Sequence, residues 1–164
     1  MTYFNIHPGQ PAKYSNEGNF VVERVSSSTY KTPMTLLANK PIKFGKECGS
    51  VFYFEIKIKK MASKDRNIII GLCDGDQKKE KLLGYGKQSF GYSANSRVLN
   101  NLKDSGISSH GKEFGTSFEE KDIVGCGFLI DKREIFFTRN GTYLGSPFNG
   151  ITLPETLYPA ICLQ

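Results

Sequence analysis

The stretch DIVGCGFLIDKREIFFTRNGTYLG, residues 122–145, decides the fold class, because its apolar residues alternate along two short runs. Successive side chains of a β-strand point to opposite faces, so alternate positions in each run share one face. Asn140 and Gly141 tolerate the positive φ angles of a tight hairpin turn, and the polar residues 131–133 make an earlier turn. The sequence therefore predicts a three-stranded antiparallel meander over about 123–130, 134–139 and 142–145. The residues expected to share a face are Val124, Cys126, Phe128 and Ile130 in the first strand, and Ile135 and Phe137 in the second.

Outside this meander, turn-forming residues recur at the short spacing that is typical of an all-β protein. Two long connections separate the predicted strands, over residues 74–88 and 102–118. No segment has the pattern of a long helix, so the predicted class is all-β, with two packed antiparallel sheets. The further predicted strands are 20–25, 51–58, 67–73, 89–94, 97–100 and 157–163, with the central one, 67–73, buried on both sides.

Length and composition point to one intracellular domain. The chain has 164 residues, enough for a sizeable core. No apolar run approaches the roughly 20 residues that a membrane span needs, and the first residues lack the pattern of a secretory signal. We therefore expect no membrane partner and an intracellular location, cytoplasmic or nuclear. The four cysteines form no C-x-x-C pair and are expected to be reduced core residues: Cys48, Cys73, Cys126 and Cys162.

The charge of the chain does not indicate a nucleic-acid partner. The net charge is +6, but the basic residues are spread along the chain, and the two clusters among them, near residues 57–66 and 78–81, have no interleaved aromatic residues. A nucleic-acid-binding surface usually combines basic and aromatic residues, or carries a recognisable recognition element. We therefore expect these clusters to be solvated turns.

No motif indicates catalysis or a bound cofactor. Residues 106–113 resemble a phosphate-binding loop, but Glu113 stands where Ser or Thr would hold magnesium. The neighbouring acids Glu119, Glu120 and Asp122 could suggest a glycosidase, but that chemistry needs two carboxyl groups facing each other across a cleft. The two histidines lie far in sequence from any cysteine, which argues against a zinc site. We therefore predict no enzyme activity, no catalytic residue, no metal and no cofactor.

Six segments occur in the order and spacing of a SPRY domain, and the chain resembles that family over residues 13–164. The segments are FYFEIKI (52–58), IGL (70–72), SFGY (89–92), DIVGC (122–126), FFTRNG (136–141) and LYPA (157–160). The resemblance is greatest to the SPRY domain of Ran-binding scaffold proteins, which belong to a ubiquitin-ligase assembly. It implies a single domain over residues 1–164, with residues 1–12 as a flexible lead-in, folded as a bent, concanavalin-like antiparallel β-sandwich.

The resemblance also implies a function and a site. Members of the family are non-catalytic modules that bind a partner protein or short peptide through loops at one end of the sandwich. The resemblance to Ran-binding scaffold proteins implies that the chain is a substrate receptor or a scaffold part of a ubiquitin ligase. The positions that correspond to the pocket are Ser27, Ser28 and Tyr30 in the first long loop, Tyr85, Lys87 and Gln88 in the second, and Gln164 at the far edge.

Two departures from the family pattern leave alternatives open. Leu82 to Tyr85 stand where many members have a tryptophan, which bears on the motif that a partner would present. The chain ends at Gln164, before the last strand usual in the family, and an unpaired sheet edge would invite self-association. A carbohydrate-binding, lectin-like sandwich and an enzyme on the same scaffold are the other readings of an all-β chain of this kind.

Overall fold

Twelve antiparallel strands make up the regular structure of the described residues. The computed structural model describes residues 12–16, 20–24, 32–43, 49–61, 68–78, 80–102, 107, 110–150 and 152–164, with the first two segments described as backbone only. No helix occurs in these segments. The strands are β1 Ala12–Asn16, β2 Phe20–Arg24, β3 Met34–Leu37, β4 Val51–Lys57, β5 Ile68–Cys73, β6 Ser89–Ser93, β7 Arg97–Asn100, β8 Lys112–Glu113, β9 Ile123–Leu129, β10 Glu134–Arg139, β11 Thr142–Phe148 and β12 Tyr158–Leu163.

The strands form two large sheets and one hairpin. The first large sheet has the order β11-β10-β9-β4, and the second has the order β3-β12-β5-β6-β7-β8, while β1 pairs with β2. The last strand, β12, lies between β3 and β5 and is paired on both sides. The outermost strands of this described sheet are thus β3 and β8, and self-association through a sheet edge stays a prediction.

The predicted meander is confirmed as β9, β10 and β11. Asn140 and Gly141 have φ angles of 49° and 77°, as a tight turn between β10 and β11 requires. The third strand continues to Phe148, three residues beyond the predicted end. Its register shifts irregularly against Ile135 and Phe137, so the turn-like residues Gly145 and Pro147 mark a bulge rather than the end of the strand.

Three of the twelve strands were not predicted: β3, which is a short apolar run, and β1 and β8, neither of which has an alternating apolar pattern. The sequence of β1 is AKYSN, and its pairing with β2 defines it. β8 consists of Lys112 and Glu113, both exposed, which pair with Arg97 and Val98 at the edge of the six-stranded sheet. Backbone pairing rather than burial makes β1 and β8 strands, and sequence periodicity does not report it.

The main core lies between the two large sheets, as expected for a sandwich. Aromatic rings meet across it: Phe90 of β6 lies 5.3 Å from Phe148 of β11, and Tyr92 of β6 lies 5.2 Å from Phe137 of β10, between ring centroids. All four side chains are buried. The sheets are therefore joined by direct contact of large apolar side chains.

A second, smaller core covers the opposite face of the six-stranded sheet. Its buried members are Ile69, Cys73, Leu83, Leu99, Ala160 and Cys162. Five of these belong to strands, but Leu83 belongs to the connection between β5 and β6, residues 74–88, which we call the β5–β6 loop. The loop therefore folds back over the sheet, and β5 is buried on both sides as predicted.

The three described cysteines are buried free thiols, as the sequence predicted for core residues: Cys73, Cys126 and Cys162. Burial raises the pKa of Cys73 and of Cys126. Both are therefore neutral thiols at physiological pH, which is the inert form of the side chain. Cys48 lies outside the described residues.

Candidate functional site

The β5–β6 loop is anchored to the sheet beneath it. Leu83 is fully buried and packs in the second core with Ile69 and Leu99. The hydroxyl of Thr35 on β3 donates a hydrogen bond of 2.6 Å to the carbonyl oxygen of Lys81. The side-chain amide nitrogen of Gln77, Nε2, donates hydrogen bonds to the carbonyl oxygens of Lys78 and Lys81, at 3.1 and 3.2 Å. The loop is thus a fixed surface element rather than a free connection.

Gly84 sets the direction of the chain just before Tyr85. Its φ angle is 96°, in the region that favours glycine, and its amide donates a hydrogen bond of 2.6 Å to the hydroxyl of Ser89. A Cβ atom here would lie closer than 3.0 Å to the Cβ atom and carbonyl oxygen of Leu99. A residue with a side chain would therefore lift this part of the loop off β7.

Tyr85, Lys87 and Gln88 lie together at the end of the six-stranded sheet where β5 ends and β6 begins. Tyr85 is 40% exposed, and its amide donates to the carbonyl oxygen of Leu82 at 3.0 Å. Lys87 is exposed and Gln88 is half-buried, while the Gln88 carbonyl oxygen accepts a 3.0 Å hydrogen bond from the amide of Asp74. The predicted residues of this loop are thus presented side by side from an anchored backbone.

The electrostatics of this end are mixed. Burial raises the pKa of Asp74, and the hydrogen bond from the amide of Asp76 and the positive charge of Lys87 only partly oppose that rise. The ammonium group of Lys87 therefore lies near a carboxylate, but it is still exposed to solvent. An exposed aromatic residue two positions from an exposed cation offers a partner both an apolar surface and a positive charge.

Gln164 lies at the opposite end of this sheet from the β5–β6 loop and is not brought together with Tyr85, Lys87 and Gln88, so its place at the far edge of a pocket stays a prediction. β12 pairs Tyr158 with Cys73 at one end and Leu163 with Ile68 at the other. Gln164 follows Leu163, which pairs with Ile68, whereas Gln88 precedes Ser89, which pairs with Cys73; the two are therefore about 23 Å apart along the strand. The reason is the antiparallel direction of β12, which carries its last residue away from the β5–β6 loop.

The first predicted loop cannot be placed. Ser27, Ser28 and Tyr30 lie outside the described residues, and their role stays a prediction. The chain resumes at Thr32 and enters β3 at Met34, which pairs with Leu163 near Gln164.

The neighbouring acids near residue 120 have structural roles. The carboxylate of Asp122, which is 7% exposed, accepts hydrogen bonds from Asn140 Nδ2 at 2.7 Å, the amide of Glu119 at 2.8 Å and Arg139 Nε at 2.9 Å. Glu119 and Glu120 are exposed, and Glu120 accepts a hydrogen bond from the amide of Met61. Three donors already occupy Asp122, so it joins β9, β10 and the preceding loop rather than serving a reaction.

Acid should weaken this junction. Burial alone would raise the pKa of Asp122, but the donors from Asn140, Glu119 and Arg139 outweigh it and hold the pKa below its usual value. A group with a lowered pKa contributes stability above its unfolded pKa, near 3.8, and this contribution is lost as the pH falls through the folded pKa. We expect Asp122→Asn to lower the free energy of unfolding by about 1–3 kcal/mol at pH 7, and by clearly less near pH 2. Urea unfolding at both pH values measures this.

Glu119→Gln provides the control for this prediction, because the Glu119 side chain is exposed and Glu119 contacts Asp122 only through its backbone amide and carbonyl groups. We expect its unfolding curves to match those of the unmodified chain. A loss for Asp122→Asn that is the same at both pH values would contradict the electrostatic role of the carboxylate.

The described part of the chain contains neither a metal-binding cluster of side chains nor a membrane-spanning helix. No group of three His, Cys, Asp or Glu side chains in it is arranged to hold a metal ion. Likewise, none of the described segments forms a helix that is long and apolar enough to cross a membrane.

Comparison with known proteins identifies relatives for most of the chain. A family model described as SPRY domain matches residues 51–164. The Drosophila melanogaster Ran-binding proteins 9/10 homolog is 36% identical over 119 residues, which are 71% of this chain and 11% of that protein. Human Ran-binding protein 9 is 33% identical over 138 residues, which are 83% of this chain and 17% of that protein. The Dictyostelium discoideum dual specificity protein kinase splA is 32% identical over 113 residues, which are 68% of this chain and 4% of that protein.

Solved structures support the same architecture. The SPRY domain of human HERC1 superposes with a TM-score of 0.71 at 17% identity and covers 98% of this chain and 89% of that one. A crystal structure of a human SPRY domain gives a TM-score of 0.66 at 21% identity and covers 99% of this chain and 90% of that one. At these identities the likeness shows a shared β-sandwich fold.

Proposed function

Because the chain belongs to the SPRY domain family, we propose that it is a non-catalytic interaction module that binds a partner protein through the β5–β6 loop. The SPRY family is one of protein-interaction modules, and the resemblance seen in the sequence is confirmed by the family match. A rigid sheet scaffold can hold such a loop in one position while the loop residues vary.

The observation that carries this proposal is the exposed pair Tyr85 and Lys87 on an anchored loop. Leu83 and Gly84 fix the loop against the sheet directly before Tyr85. A loop whose backbone is already anchored loses little conformational entropy when a partner binds. Tyrosine is among the residues that contribute most to protein interfaces, because it combines a large apolar ring with a hydroxyl group. Gln88 follows the pair and is half-buried, and Gln164, at the other end of the sheet, is outside the proposed surface.

The role of the whole protein is a wider proposal. The chain spans about a fifth or less of the length of the curated relatives described above. The family resemblance supports a scaffold or substrate receptor of an intracellular ubiquitin-ligase assembly, and three buried free thiols suit an intracellular protein. The match with the kinase covers 4% of that protein, so no kinase activity is carried over. The saturated hydrogen bonding of Asp122 supports a module without catalysis.

The test is a comparison of binding partners between variants. We expect the double variant Tyr85→Ala with Lys87→Ala to capture about one tenth or less of the amount of its main partner that the unmodified chain captures, because the loss of one interface hot spot has an effect of this size. Quantitative mass spectrometry of proteins captured by the chain measures this. Both side chains are exposed, so the melting temperature should not change.

Tyr143→Ala is the matched control, since Tyr143 is another exposed tyrosine but lies on β11 in the other sheet. The partner of the β5–β6 loop should be recovered equally by this variant. Equal recovery by the double variant and the unmodified chain would refute the placement of the site.

A further inference from the structure

The outer face of the four-stranded sheet carries large exposed apolar side chains. Val51, Tyr53 and Tyr143 are 49%, 40% and 59% exposed, and Phe136 lies half-buried between the two tyrosines. The rings of Tyr53 and Phe136 are parallel within 5° at a centroid distance of 5.9 Å, and the ring of Tyr143 lies 5.7 Å from that of Phe136. We call these four residues the aromatic shelf. It runs across the sheet from β4 to β11.

Two glycines on the intervening strand β9 make the shelf flat. Gly127 pairs with both Tyr53 and Phe136, and Gly125 pairs with both Glu55 and Thr138. A Cβ atom on Gly127 would lie closer than 3.0 Å to the Phe136 ring, and one on Gly125 closer than 3.0 Å to the Tyr53 hydroxyl. The rings therefore occupy the space that β9 leaves empty.

Hydrogen bonds hold the shelf in place. The Tyr53 hydroxyl lies 2.6 Å from Thr138 Oγ1 and donates to Glu55 Oε1 at 2.8 Å. The Tyr143 hydroxyl lies 2.9 Å from Ser146 Oγ. The rings are thus oriented before any partner arrives, which lowers the entropic cost of binding. Exposed apolar patches of this kind mark interaction sites.

The charges around the shelf select the chemistry of the partner. Glu55 is the next outward residue after Tyr53 on β4, and Glu134 is the outward residue before Phe136 on β10. Two carboxylates therefore flank the central rings, although the whole chain carries a net charge of +6. The nearest outward cation on β4 is Lys57, which lies beyond Glu55 at the end of that strand.

We propose that the aromatic shelf is a second protein-docking surface, separate from the β5–β6 loop, whose partner presents an arginine beside an apolar side chain. A planar guanidinium group stacks on the face of an aromatic ring, and its remaining donors reach a carboxylate such as Glu55. The neighbouring apolar side chain packs on the exposed ring of Tyr143, which lies across the sheet at the level of Glu55. A second copy of this chain fits less well, because two molecules of net charge +6 repel one another.

Selection of random 12-residue peptides displayed on phage, with the full chain as bait, tests the proposal. Peptides that also bind the variant combining Glu55→Lys with Tyr143→Ala are removed by counter-selection. We expect the remaining peptides to share an arginine next to an apolar residue. Each is then synthesised with arginine and with citrulline, which is neutral and of nearly the same shape. Fluorescence anisotropy should show about tenfold weaker binding for citrulline.

Single variants of the chain complete the test. Glu55→Lys and Tyr143→Ala should each lower the affinity for the selected peptides about tenfold, while Tyr85→Ala should leave that affinity unchanged. All three variants should keep the melting temperature of the unmodified chain. Failure to obtain any shelf-dependent peptide overturns the proposal, as does equal affinity for the citrulline forms. Two further results would overturn it. One is a glycan on an array that binds the unmodified chain but not Tyr143→Ala. The other is a dimer in analytical ultracentrifugation that becomes a monomer with Tyr143→Ala. If Tyr85→Ala weakens the peptides, the two surfaces are not separate.

Discussion

Phe137→Ala is expected to lower the free energy of unfolding by about 3–5 kcal/mol, the cost of removing a buried phenylalanine ring. Phe137 is fully buried between the sheets, and its ring contacts those of Tyr92, Phe114 and Phe148 at centroid distances of 5.2, 6.1 and 6.2 Å. No small side chain can keep these contacts, and the close-packed surroundings cannot collapse fully into the space. Urea unfolding followed by far-ultraviolet circular dichroism measures the change.

Phe136→Ala is the matched control, one residue away on the same strand but on the opposite face. Its ring is half-buried and rests on Gly127 and beside Tyr53 rather than in the core. We expect it to cost less than half as much stability as Phe137→Ala, because solvent already reaches this face. Equal losses of stability for the two variants would contradict the assignment of one face of β10 to the core and the other to the solvent.

The sequence was enough to predict most of this architecture, because local alternation reports which strands face a core. The meander was predicted from its alternation and the buried strand β5 from its continuous apolar run, and both are confirmed. β8 was not predicted, since two exposed residues carry no periodicity. The same limit applies to Gly125 and Gly127: the sequence marks them as poor helix residues, but only the cross-strand register places them beneath Tyr53 and Phe136.

The candidate site was predictable only in part, and the reason is again non-local. Family resemblance pointed to Tyr85, Lys87 and Gln88, which are neighbours in sequence and remain so in space. Gln164 was assigned to the same pocket, yet its position depends on the neighbours and direction of β12, which the segment 157–163 does not reveal. Similarly, Leu82 and Leu83 look like an apolar pair in a polar connection, and only the packing of Leu83 on Ile69 and Leu99 shows that they anchor the loop.

Gly84→Ala is expected to destabilise the chain by about 3 kcal/mol and to abolish binding of the partner of the β5–β6 loop. Two costs add at this position. A residue with a side chain is strained at a φ of 96°, and its Cβ atom would press on the Cβ atom and carbonyl oxygen of Leu99, an overpacking that typically costs 1–3 kcal/mol. The carbonyl oxygen belongs to the backbone of β7 and cannot rotate away. Relief therefore requires the loop to move, which displaces Tyr85.

Gly86→Ala separates this effect from that of any glycine replacement in the loop. A Cβ atom on Gly86 would also be too close to a neighbour, but that neighbour is the side-chain oxygen of Gln77, which accepts no hydrogen bond from the described residues and is not part of the backbone. We expect a loss of about 1–2 kcal/mol, because a shift of Gln77 also strains its hydrogen bonds to the carbonyl oxygens of Lys78 and Lys81. Binding should be retained, because Leu83 and Gly84 stay in place. Urea unfolding gives the stability of both variants, and capture of the partner at a temperature where both are folded gives the binding. If Gly84→Ala binds the partner as well as Gly86→Ala does, the anchored conformation before Tyr85 is not what the partner recognises.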